Sequence, residues 1–239
     1  MKKKKIVTAV LSLIIVFSVL AASVYAYRGV AYLFLYDSYL DYAETCVFDL
    51  IMYGFDTGSY VHNSAADIYS VMPTSSILVH FGEGGPGYVF CENADGVTSA
   101  ICGDTNCDEY LYPTIDRAVS NMPYVTDETN LLTMYLSGNA GVTPDPIEDS
   151  SQLTGYIYPS NLVTQTAARY SKCAVGWLSV LPSESKMTWF TYFTSYCEDY
   201  PIAESIERAN FDIGYYHSQS WGDLYDQYII RGNGSLLIS

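Results

Sequence analysis

Apolar and polar positions along the chain fall into two alternating periods. Val30 to Tyr36 (VAYLFLY) is a short continuous apolar run, the pattern of a strand buried on both faces. After it, apolar residues at Tyr39/Leu40, Ala43, Cys46/Val47 and Leu50/Ile51 recur every three to four positions, which predicts one face of a helix ended at Gly54. A brief strand over Ser59 to His62 precedes a short helix from Ala65 to Met72, with Asn63 or Ser64 as its cap and Pro73 as its stop. Ser76 to Phe81 (SILVHF) reads as a second buried strand, and it runs into a glycine-rich loop, Gly82-Glu83-Gly84-Gly85-Pro86-Gly87.

Downstream, YVFCE and VTSAI flank Asn93-Ala94-Asp95-Gly96 as a hairpin, and the fixed φ of Pro113 suits the first turn of a helix ending before Pro123. Asn130 to Leu136 is a third core strand, delivering Ser137-Gly138-Asn139-Ala140-Gly141 and then an acidic loop to Tyr158. A helix capped by Ser160 leads to a fourth core strand over Cys173 to Val180, then to helices over Ser185 to Tyr196 and Ile202 to Asn210. QYIIRG and SLLIS close the chain as a small hairpin around Asn233-Gly234. Strand and helix thus alternate, which predicts an α/β domain with a mostly parallel sheet, helices on both faces and small hairpin elements. In such sheets the working loops leave the carboxyl ends of the strands, so the Gly82 and Gly138 loops are expected to be neighbours.

The amino terminus follows a different logic. Lys2 to Lys5 precede an apolar stretch from Ile6 to Ala22, and small residues at Val24 and Ala26 suit cleavage before Tyr27, the order of a secretory signal. An uncleaved anchor is the alternative, since seventeen residues at ~1.5 Å each span about 25 Å of a ~30 Å hydrocarbon core. The expected layout is a signal over residues 1–26 and one domain over 27–239, secreted or held at the extracytoplasmic cell surface. Loss of the signal removes four of eleven basic residues and none of the 26 acidic ones, leaving a net charge of −19. A polyanion repels phosphate backbones and anionic lipid, so nucleic acid and membrane (beyond the export signal) are not expected partners; a basic peptide or protein is.

Six cysteines in an oxidising compartment permit disulfides, and Cys102 with Cys107 is the favoured pair because four residues of polar loop separate them. Cys173 and Cys46 sit in apolar patterns that suit buried thiols. Asp104, Asn106 and Asp108 alternate like the start of a calcium loop but lack its glycine and glutamate, so no cofactor is expected, with calcium as the one alternative.

Ile77-Leu78-Val79-His80-Phe81-Gly82-Glu83-Gly84-Gly85-Pro86-Gly87 resembles the catalytic-histidine loop of the caspase-like cysteine peptidases, the group of caspases, gingipains, clostripain and CHAT domains. In that family one apolar strand ends in a His-Gly pair and a later one in a cysteine nucleophile. Leu132-Thr133-Met134-Tyr135-Leu136-Ser137-Gly138-Asn139-Ala140-Gly141 resembles the second segment, and Asn161-Leu162-Val163, Cys173-Ala174-Val175-Gly176-Trp177 and Ile202-Ala203-Glu204-Ser205-Ile206 resemble the downstream half of bacterial members. The resemblance implies a caspase-haemoglobinase-like fold, with a binding cleft at Gly82, Glu83, Gly84, Gly85, Gly138 and Asn139.

At the family's two catalytic positions this chain has Glu83 in place of histidine and Asn139 in place of cysteine. An amide is no nucleophile at neutral pH, so covalent catalysis is not expected there. The expectation is an exported, inactive caspase-like domain that binds a peptide or protein. Two other readings stay open: a cysteine endopeptidase with a rearranged dyad of His80 and Cys91, and a surface structural domain. His80, inside a strand, also suits a packed core residue, and His62 and His217 suit the surface.

Overall fold

The computed structural model describes residues 28–35, 47–104, 115–125, 130–145, 147–148, 156–157 and 160–238. The signal segment, Cys46, Cys107, Asn106, Asp108 and Pro113 lie outside them. Five parallel strands, β1 (Gly29–Leu35), β2 (Phe55–Val61), β3 (Ile77–Gly82), β8 (Leu132–Ser137) and β11 (Cys173–Trp177), form a central sheet. An antiparallel edge strand, β12 (Tyr228–Gly232), completes the order β12-β11-β8-β3-β1-β2. Every residue of β3, β8 and β11 is buried. That is why their sequences run apolar without alternating: helices or a second sheet cover both faces.

The two faces hold separate cores. Leu33, Ile77, Val79, Phe81, Met134, Leu136 and Val175 face one side, where they meet α3 (Ser183–Tyr196), α4 (Ile202–Tyr216) and Tyr225 of α5 (Gln219–Tyr225). Phe34, Leu78, Tyr135 and Ala174 face the other, against α1 (Ala65–Val71), α2 (Leu162–Arg169) and a four-stranded sheet. That sheet runs β4 (Gly84–Gly85), β5 (Tyr88–Glu92), β6 (Thr98–Cys102) and β7 (Ile115–Ala118), and β9 (Ile147–Glu148) with β10 (Tyr156–Ile157) forms a separate antiparallel pair. The expected hairpin is its β5–β6 pair, where Asn93 Oδ1 accepts from the Asp95 and Val97 amides and Gly96 takes a positive φ. β5 alternates buried and half-buried residues, so Val89 and Cys91 point into the second core.

Local signals hold at several ends. Ser64 and Asp67 form a reciprocal capping box on α1. The cap of α2 is Asn161 rather than Ser160: its Oδ1 accepts from the Val163 and Thr164 amides at 2.8 and 3.2 Å, an arrangement that fills two orphan donors.

Two expectations fail. The helix predicted from Pro113 is a strand over Ile115–Ala118 followed by a 3-10 turn over Val119–Asn121. Apolar residues at Ile115, Ala118/Val119 and Met122 imitate a helical period, but the open edge of β6 pairs with the segment in parallel and so satisfies its backbone. The terminal hairpin is replaced by a different bond pattern. β12 pairs with β11, and the following turn sends the Gly234 and Leu236 carbonyls to the Ala203 and Ile202 amides, each at 2.9 Å. Those amides open α4, which Pro201 caps without a side-chain bond, so the tail satisfies donors that would otherwise be orphans. α4 itself continues six residues beyond Asn210, because Ile213 extends the buried row of Ile202, Ile206 and Ala209. α5, a further helix beyond those the apolar spacing marks, fits against α4 where Gly222 and Gly214 let the two backbones approach.

Candidate functional site

The carboxyl ends of β3 and β8 lie side by side, with Gly82 the register partner of Ser137. Glu83 therefore leaves one strand end as Gly138 and Asn139 leave its neighbour, and the two loops touch. Gly138 has φ +52°, and a Cβ there would lie 2.2 Å from the carbonyl oxygen of Gly84. Only glycine fits a left-handed position pressed so closely against another backbone. Asn161 secures the second loop from behind, its Nδ2 donating to the Gly141 carbonyl, while the Gly141 amide donates to the Trp177 carbonyl at 2.8 Å. Glu83 is exposed and Asn139 half-buried; Gly82, Gly85 and Gly138 are buried and Gly84 half-buried.

Beneath this surface is a cation. Lys186 of α3, 2 % exposed, donates from Nζ to the Gly82 carbonyl at 2.6 Å. Burial pushes its amine down to about 8, with the Glu83 carboxylate opposing that shift. Lys186 shares a helical row with Phe190 and Phe193, so the spacing itself directs an amine toward the core.

On the opposite face of the sheet, His80 and Cys91 come together. Cys91 Sγ is 3.9 Å from His80 Nε2, within reach of a weak sulfur hydrogen bond, and Ser137 Oγ is 2.5 Å from His80 Nδ1. All three are buried, at 4 % exposure for His80, 2 % for Cys91 and 0 % for Ser137. Burial, and then the Lys186 charge, push the imidazole down to about 4 against the opposing Phe90 carbonyl, so it is neutral at neutral pH. Beside the pair, at the carboxyl ends of β1, β2 and β3, lies a small hollow open to solvent. Phe34, Tyr60, Ile68, Phe90 and Glu92 are among its walls.

His62 and His217 are both exposed, the latter 3.1 Å from the Tyr192 hydroxyl. Cys102 is buried in β6 and Asp104 is half-buried; with Cys107, Asn106 and Asp108 outside the described residues, the expected disulfide and calcium loop are not on view. Among the described residues no three His, Cys, Asp or Glu side chains converge to hold a metal ion.

The sequence matches no protein-family model and no curated protein. Its fold does match solved structures. The Arg-specific cysteine proteinase gingipain R (RGPB) superposes with a TM-score of 0.57 at 10 % identity, covering 87 % of this chain and 46 % of that one. Caspase-1 from Spodoptera frugiperda aligns with a TM-score of 0.46 at 12 % identity, covering 87 % of this chain and 89 % of that one. This chain therefore spans about half the length of the gingipain chain. With gingipain R it shares the caspase-like fold: a mostly parallel central sheet between helices.

Proposed function

Proceeding from that fold, we propose that this chain is an exported caspase-like domain without peptidase activity, and that it binds a basic peptide or protein segment at the ends of β3 and β8. The observation that carries the reading is the register of Gly82 with Ser137. It sets Glu83 and Asn139, the residues standing where the resembling peptidases have histidine and cysteine, on adjacent strand ends. A carboxylate can accept a proton there, but an amide cannot attack a carbonyl carbon, so the pair lacks a nucleophile. An exposed carboxylate on a chain of net charge −15 suits a cationic side chain, and the glycines around it let a ligand backbone come close.

Two measurements on the purified protein test this. Peptide substrates cut after Arg, Lys or Asp should stay intact at varied calcium and reductant. A Lys/Arg-rich peptide should bind, and Glu83→Gln should weaken it by about tenfold, the value of one charge-assisted hydrogen bond. Hydrolysis, or peptide binding indifferent to Glu83→Gln, would overturn the reading.

A further inference from the structure

Along α4, Glu204, Arg208, Asp212 and Tyr216 recur at every fourth position and so lie on one side of the helix. Tyr192 and Tyr196 of α3, with Tyr200 just beyond its end, meet that row through ring and polar contacts. The two helices thus share a seam lined with phenol rings and carboxylates.

One end of the seam already holds a cation. The Arg208 guanidinium carbon lies 3.6 Å from the centre of the Tyr200 ring, and its Nε and Nη2 donate to Glu204 Oε1 at 3.1 and 2.7 Å. A ring face attracts positive charge and a carboxylate fixes the direction of the fork, so the pair suits a planar cation. Further along α4 the same ingredients recur. Asp212 accepts from the Tyr196 hydroxyl at 2.5 Å and, among the described residues, enters no ion pair. That bond, then burial and the Asp212 charge, push the Tyr196 phenol up to about 12. One turn beyond, Tyr192 and Tyr216 stand with ring centres 6.5 Å apart.

The rings continue outward. Tyr215 meets Tyr216 at 4.9 Å and 90°, and Phe211 stacks on Tyr215 at 5.7 Å. Phe211, Tyr215 and Tyr216 are 67, 71 and 65 % exposed, and a connected aromatic surface of this kind marks a place of contact. We propose that Asp212, Tyr192 and Tyr216, flanked by Tyr215 and Phe211, form a docking surface for an arginine-bearing segment of a partner protein, separate from Glu83 and Asn139.

Charge selects this occupant. A second copy of the chain would bring its own Asp212 and a net charge of −15 against the same patch. A neutral glycan would use the rings and leave the carboxylate's charge unanswered. Arginine is favoured over lysine because a guanidinium lies flat on a phenol ring while forking to a carboxylate, the arrangement Arg208 makes with Tyr200 and Glu204.

The test is calorimetric titration of the folded full chain with an acetylated, amidated peptide of four Gly-Arg repeats at 150 mM salt. Every sample carries Glu83→Gln, so the strand-end carboxylate is silent and the fate of that site does not enter. The peptide should bind, its citrulline counterpart at least tenfold more weakly, and its lysine counterpart several-fold more weakly. Asp212→Asn and Tyr216→Ala should each weaken the arginine peptide about three- to fivefold. Tyr216→Phe, which keeps the ring, should bind like the parent. Because Tyr216→Ala leaves the net charge unchanged, affinity indifferent to it would mean general attraction to a polyanion and would overturn the proposal. So would equal losses in Tyr216→Phe and Tyr216→Ala, or binding of a neutral chito-oligosaccharide in place of the peptide. A dimer in sedimentation that dissociates in Tyr216→Ala would assign the patch to a second copy and overturn it as well.

Discussion

At the scale of single residues, His80 links stability to pH. Buried and neutral in the folded chain, its imidazole titrates at about 4 instead of the usual 6.5, because burial and then the Lys186 charge disfavour the protonated form. A lowered folded-state value in a base means that the unfolded chain binds the extra proton first. The stabilisation is therefore complete above pH 6.5 and is lost as pH falls from 6.5 to about 4. Carboxylates titrate in the same window, so a difference measurement isolates the histidine. The urea-unfolding free energy of the parent minus that of His80→Gln should fall by about 3 kcal/mol between pH 7 and pH 4. A flat difference would mean that His80 is charged or solvated in the fold.

At the scale of elements, the ends of β3 and β8 are held by one cap and one glycine contact. Asn161 fills the first amides of α2 and also donates to the Gly141 carbonyl, so a single side chain ties a helix start to the loop carrying Asn139. Asn161→Ala removes the cap and strands a buried carbonyl, a combined cost of about 2 to 4 kcal/mol by urea unfolding. Gly138→Ala meets a different obstacle. Its φ of +52° disfavours any Cβ, and the Gly84 backbone is already in the space. About 2 kcal/mol or more should be lost, and the Tm should drop by several degrees. Because the two loops would be forced apart, affinity for a Lys/Arg-rich peptide should fall with it.

Across the whole molecule, the face of the sheet opposite Cys91 is organised by large rings. Trp189 lies edge-on to Trp177 at 4.9 Å and parallel to Tyr225 and Phe193 at 5.2 and 5.5 Å, joining α3, β11 and α5. Its indole N–H donates to Asn210 Oδ1 at 2.8 Å, and Asn210 in turn donates to the Tyr225 carbonyl. Trp189→Ala opens a cavity in a packed core and leaves that amide oxygen short of a donor. A loss of about 3 to 5 kcal/mol in a urea titration is expected. The same helix carries Lys186, so loosening α3 should also disturb the bond to the Gly82 carbonyl and, through it, the end of β3.

What could be read from the linear chain was whatever depends on neighbours a few positions away. The continuous apolar runs of β3, β8 and β11, the Asn93 to Gly96 turn, the Ser64 capping box and the likeness of the two glycine loops to the caspase-like peptidases all lie within short windows, where period, φ preference and cap chemistry act. Tertiary structure decided the rest. Residues 115–118 became a strand because β6 offered an unpaired edge, and the tail gave up its hairpin because α4 began with donors to satisfy. His80 and Cys91, eleven positions apart, meet only because one sheet folds over another, and Lys186 reaches Gly82 across 104 residues of chain. Backbone groups and buried amines take whichever partner the packed chain brings to them, and no local pattern records which one that will be.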